Sequence, residues 1–124
     1  MNNGKIKISN FKELIFIDLY SQEKIDEEDI CWLFDSLEKK FKRKQNVIAV
    51  ISGDYNLCTS ATELLAEKAD FLGDSIAFVV QSNEMKVNDL YYTQFSYLKG
   101  KSIAYFDQIS TAYNWIKHNS VQAA

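Results

Sequence analysis

Cys58, Thr59, Ser60 and Glu63 fall within the six-residue stretch CTSATE and bring together a thiol, two hydroxyls and a carboxylate. They follow the apolar run Val47 to Ile51, VIAVI, and the breaking residues Ser52, Gly53 and Asp54. A side chain at such a junction stands near a helix N-terminus, where unpaired backbone N–H groups and the helix dipole attract negative charge. That setting lowers the pKa of a thiol and accommodates a phosphoryl group on a hydroxyl. Plain capping is the competing account: a Ser60 hydroxyl and a Glu63 carboxylate satisfy two orphan backbone donors reciprocally. Capping alone explains Ser60, and with no histidine near Cys58 in the sequence the expectation there is an inert, half-buried thiol.

The remaining chemistry-bearing residues are scattered. Asp18, Asp54 and Glu63 lie nearest the ends of apolar runs, but no spacing sets two of them as an acid and base pair. His118 is the only histidine, stands close to the C-terminus and has no Cys or Asp at metal-ligand spacing, so it reads as a surface residue. No catalytic residue, metal or cofactor is expected. Tyr91, Tyr92, Phe95 and Tyr97 occupy more than one face of a single helix. Tyr92 or Tyr97 then points away from whatever Tyr91 and Phe95 cover, and exposed aromatics would serve an apolar ligand groove or a dimer surface, with tyrosines scattered over the surface as the commoner explanation.

The elements that must position these residues are legible from periodicity. Lys5 to Ser9 alternates with period two, as an edge strand with one wet face, and Leu14 to Tyr20 is apolar except at Asp18, as an interior strand. Asn10 to Glu13 is the turn between them, which makes a hairpin. Asp26 to Lys44 reads as a helix capped by Asp26, acidic in its first turn and basic in its last. Its stripe is Ile30, Leu33, Phe34, Leu37 and Phe41, with Trp32 outside it; the basic run reads as a solvated helix end, not as an anion or membrane-surface patch. A second helix runs from Ser60 with Ala61, Leu64, Leu65, Ala69 and Leu72 as its buried stripe, and Gly73 is placed to close it in a left-handed cap. Further strands fall at Ile76 to Val80 and Ser102 to Phe106. Helices fall at Glu84 to Lys99 and, capped by Asp107 with Ile109, Ala112, Tyr113 and Ile116 on one face, at Gln108 to His118; Asn119 to Ala124 would fray. The order β-β-α-β-α-β-α-β-α calls for an α/β fold with a mixed, mostly parallel sheet of about five strands and an N-terminal hairpin.

The 124 residues suit a single domain spanning 1–124. Seventeen acidic residues against fourteen basic ones leave a net charge of −3, which removes the cationic surplus on which nucleic-acid binding depends, so nucleic acid is not an expected partner. Two cysteines, Cys31 and Cys58, in an otherwise ordinary composition fit free thiols in a reducing compartment. There is no apolar leader at the N-terminus and no run long enough to span a membrane, so a cytoplasmic location is the expectation.

The element order, the helix ATELLAEKA after the central strand, the strand IAFVVQS and the close IAYFDQISTAYNWIK together resemble the SpoIIAA-like group, the STAS domains related to bacterial anti-sigma-factor antagonists. The resemblance covers about Ile6 to Lys117. In the antagonists the helix opens with Asp-Ser-Ser-Gly, whose second serine is phosphorylated by a partner kinase; here Cys58-Thr59-Ser60-Ala61 holds those places, so Ser60 takes the phosphorylated position while the Asp and the Gly are absent. The resemblance implies a non-enzymatic regulatory or protein-binding module, of unidentified partner, whose surface is Asp54, Cys58, Thr59, Ser60 and Glu63. Two alternatives are a carrier of a small apolar ligand, as in the CRAL-TRIO relatives, walled by Tyr91 and Phe95, and a purely structural interaction role. A homodimer is compatible with each, because both faces of the strands are apolar and one helix layer does not cover both.

Overall fold

The computed structural model describes residues 1–20, 24–51, 59–80, 98 and 100–123. Five strands lie in sequence order in one sheet: β1 (Ile6–Phe11), β2 (Leu14–Leu19), β3 (Val47–Ile51), β4 (Ser75–Val80) and β5 (Ser102–Phe106). β1 is antiparallel to β2, and every other neighbouring pair is parallel. The mixed, mostly parallel sheet with its N-terminal hairpin is the architecture the sequence pattern calls for. Of the helix expected at Glu84 to Lys99 only Leu98 is described, and it is buried; Tyr91 and Phe95 lie outside the described residues, as do Asp54 and Cys58.

Period-two burial explains β1: Ile6 and Ile8 are buried while Lys7 and Ser9 are exposed, so one face is wet. β3 and β4 are buried at every position, as strands covered on both faces must be. The β1–β2 connection is tighter than expected. β1 runs on through Phe11, and only Lys12 and Glu13 form the turn, at φ 48° and 67°. Two central residues with positive φ are what a right-twisted hairpin demands of a two-residue loop, even where neither is glycine.

Helix α1 (Glu27–Lys40) is capped as expected by Asp26, which accepts from the Asp29 N–H while Asp29 accepts from the Asp26 N–H, each at 3.0 Å. It ends four residues before Lys44. Phe41 takes an extended backbone and packs half-buried against the core, so Lys42, Arg43 and Lys44 belong to the connection into β3. Trp32, expected outside the buried stripe, packs partly against the same core. Helix α2 (Thr59–Lys68) runs into a 3₁₀ turn at Ala69–Phe71, closed by the Leu72 N–H on the Ala69 carbonyl at 2.9 Å.

Gly73 does not make the left-handed cap; it serves a close approach. Its N–H donates to the Gln45 carbonyl at 2.8 Å, and a Cβ there would stand 2.5 Å from the Asn46 Oδ1 and 2.7 Å from the Asn46 backbone nitrogen. Asn46 in turn ties three strands at their start, its carbonyl accepting from the Ile15 N–H at 3.0 Å and its Oδ1 from the Ser75 N–H at 3.1 Å.

α1 and α2 cover one face of the sheet, over a core that includes Ile6, Ile17, Val47, Ala49, Ile76 and Phe78. Helix α3 (Ile109–Ala123) folds back over the other, setting Ala112 and Ile116 on Leu14, Ile48, Val50, Ala77 and Val79. It begins one residue later than an Asp107 cap implies, with the Gln108 carbonyl accepting from Ala112, and stays helical past the expected fray point at Asn119. Ile109, expected on the buried face, is exposed. Because α3 covers the second face over β3 and β4, the premise for a homodimer, an uncovered sheet face, does not hold there.

Candidate functional site

In a parallel α/β sheet the carboxyl ends of the strands are where loops and helix N-termini gather, and the β3 to α2 junction lies at that end. Thr59 opens α2, and Ala61 is fully buried, which fixes the first turn against the core. Ser60 and Glu63, three apart, are both exposed and share the outward side of the helix. Ser60 stands inside the helix, one position past its first residue, and not at the cap where the capping-box pattern puts it. The first turn of α2 carries no acidic residue, whereas the first turn of α1 carries three. The positive end of the α2 dipole therefore has no carboxylate of its own opposite it within that turn.

The other candidates separate in space. Asp18 pairs in register with Lys7 on the hairpin. His118 is exposed, with its Nδ1 2.9 Å from the Asn114 carbonyl, one turn back in α3. Cys31 is exposed on α1 and is a free thiol. Among the described residues no three His, Cys, Asp or Glu side chains come together as a metal site. Nor is any helix among them long and apolar enough to cross a membrane.

The carboxylate with the clearest electrostatic perturbation is structural. Asp29 is 7% exposed, and its oxygens accept from the Asn3 Nδ2 and the Lys5 Nζ, each at 3.0 Å, as well as from the Asp26 N–H. Burial pushes its pKa up, but the Asp26 N–H, the Lys5 ammonium and the Asp26 side chain outweigh that and hold it below the ordinary carboxylate value. The group anchors the N-terminal segment to α1.

Three cavities bear on ligand binding. An apolar cavity of about 60 Å³ lies between the sheet and α1 and α2, lined by Ile6, Ile25, Phe34, Leu65, Phe78 and Leu98 among others. That is far below the roughly 300–1,000 Å³ of a site for a drug-sized ligand. At the opposite end from the α2 N-terminus, a cleft of about 590 Å³ opens between the hairpin turn, the α1–β3 connection and α3. It is lined by Lys12, Glu13, Leu14, Arg43, Lys44, Gln45, Asn46, Tyr113, Ile116 and Lys117. A smaller groove of about 340 Å³ lies on the other side of the same connection, between Phe41 and Phe71. Sequence reasoning missed the cleft because its cations come from three separated segments. The available signal was that the basic run continues past the single turn that complements a helix dipole.

A five-stranded mixed sheet opened by an antiparallel hairpin, with α1 and α2 on one face, defines the chain as an α/β protein of SpoIIAA-like fold. Similar to it is the crystal structure of an uncharacterised protein of the DUF3478 family with a SpoIIAA-like fold, from Shewanella loihica PV-4. The two align with a TM-score of 0.59 at 16% identity, over 90% of this chain and 91% of that one. No family model and no curated protein matches the sequence.

Proposed function

We propose that the chain is a non-enzymatic regulatory module that binds a protein partner through the surface at the start of α2. Ser60 and Glu63 are its outward residues, and Asp54, Cys58 and Thr59 contribute from the adjoining stretch. The observation that carries this reading is the exposed Ser60 in the first turn of α2, a turn without a carboxylate, at the carboxyl end of β3. A phosphoryl group there would meet the positive end of the helix dipole and add charge to the recognition surface, a switch by local electrostatics. The SpoIIAA-like fold supports a module of this kind, and the reading places it in the cytoplasm. Tyr91 and Phe95, the walls of the alternative apolar-carrier site, lie outside the described residues.

The test has two parts. Protein isolated from its native cell is weighed intact and as proteolytic peptides, with and without phosphatase, and a photo-crosslinking residue is placed at Glu63 or, as a control at the far end of α1, at Lys39. The expected result is a phosphatase-sensitive mass increase within residues 59–62 and one protein crosslinked from position 63 and not from position 39. Unmodified protein that crosslinks equally from both positions rejects the reading.

A further inference from the structure

Lys39 and Lys40 lie exposed in the last turn of α1 as expected, but the basic run continues beyond the helix. It leaves the helix at Phe41 and lines the wall of the 590 Å³ cleft at the amino ends of the parallel strands, remote from the α2 junction. We propose that this cleft binds a phosphate-bearing small molecule, a phosphomonoester or pyrophosphate, through Lys12, Arg43, Lys44 and Lys117.

Charge is the first argument. Four cations and one carboxylate, Glu13, give the lining a net charge of +3, in a chain whose total is −3. A concave site of one sign within a chain of the other focuses its field on small anions and raises their local concentration. A monocarboxylate would leave most of that charge unmatched, whereas a phosphomonoester brings about −1.5 to −2 and three acceptor oxygens.

Availability is the second. The four cationic side chains belong to exposed residues. Arg43 meets Glu13 at 3.4 Å, but with the two side chains 76% and 82% exposed the pair is worth little and yields to a dianion. Lys44 and Lys117 have no ion-pair partner among the described residues.

The third is preorganisation. The cations are presented by a two-residue hairpin turn, by a connection whose Gln45 and Asn46 are bonded to Gly73, Ile15 and Ser75, and by α3. Backbone so fixed loses little freedom when a ligand arrives. Tyr113, whose ring centroid lies 6.3 Å from that of Phe11, gives one wall an aromatic ring and a hydroxyl. Gln45, on the same lining, keeps its Oε1 buried with no partner among the described residues, an acceptor suited to a hydroxyl on the group that carries the phosphate and not to the phosphate itself. The volume lies within the range for small-ligand sites.

The experiment titrates pyrophosphate into the full chain by calorimetry, and in a parallel arm sediments the chain with vesicles containing phosphatidylinositol phosphate or only neutral lipid. Both arms use the wild type, K44Q/K117Q, K44R/K117R and K24Q. Saturable pyrophosphate binding is expected, weakened about tenfold or more by K44Q/K117Q, the factor equivalent to about 1.4 kcal/mol. It should be restored by K44R/K117R and unchanged in K24Q, whose charge lies at the other end of the molecule. The same variant pattern on phosphoinositide vesicles alone assigns the phosphate to a lipid headgroup. No saturable binding in either arm, equal loss in K24Q, or a short DNA duplex bound more tightly than pyrophosphate overturns the proposal.

Discussion

Asp29 and Gly73 show two ways in which single residues hold the base and the flank of this sheet. Asp29 has its folded pKa below the unfolded value, so its contribution to stability is present above the unfolded value, about 3.9, and is lost as pH falls through the folded one. Asp29→Asn removes the charge that Lys5 and two N–H groups share, and should cost about 2 kcal/mol at neutral pH. Urea midpoints measured from neutral pH down through the carboxylate range should converge for the two proteins in acid; curves that stay parallel would show that the carboxylate is not the source. Gly73 is needed for a different reason, since a Cβ there would meet not only the Asn46 side-chain Oδ1 but backbone atoms of Gln45 and Asn46, which cannot swing aside. Gly73→Ala should cost about 2 kcal/mol by overpacking, read as a lower urea midpoint at unchanged slope. A glycine whose only function was helix capping would not be sensitive to its neighbours at Gln45 and Asn46.

At the level of elements, what depended on periodicity was legible and what depended on distant partners was not. The buried strand Val47–Ile51 and the strand Ser102–Phe106 lie where their patterns put them, and Asp26 caps α1 as its spacing to Asp29 implies. The end of α1 is set by Phe41 turning into the core, and the role of Gly73 by an approach from residues nearly thirty positions away, so neither leaves a local signature. The Ser60 surface was legible as a helix start, but the basic cleft was not, because Lys12 and Lys117 reach it only once the hairpin and α3 are in place. Glu13→Gly relieves a non-glycine residue at φ 67° and should stabilise the hairpin by about 0.5 kcal/mol, after the added freedom of the unfolded chain is subtracted. By removing the lining's one carboxylate it should also tighten pyrophosphate binding. Ser60→Glu and Ser60→Lys, of similar helix propensity, should differ by about 1 kcal/mol in favour of Glu at low ionic strength. That gap should close in high salt; equal thermal midpoints for the two variants would mean that the α2 dipole does not favour charge at position 60.

At the scale of the molecule, the described residues cover the two faces of the sheet unequally. The first face has α1, α2 and Leu98 over a broad core, whereas the second depends on α3 among the described residues, through Ala112 and Ile116. Phe16, Phe106, Tyr113 and Trp115 pack partly buried against that smaller cluster, with Phe106 and Trp115 in ring contact at 5.8 Å. Ile116 is 1% exposed, so Ile116→Ala removes three buried carbons from a site with few neighbours able to collapse, and should cost about 3 kcal/mol. Removing residues 109–123 goes further, because it uncovers Leu14, Ile48, Val50, Ala77 and Val79 as one apolar patch. An exposed patch of that kind drives association. Sedimentation of the shortened chain should therefore show a mass that rises with concentration more steeply than that of the full chain. Equal behaviour of the two would mean that α3 is not what keeps the second face from water.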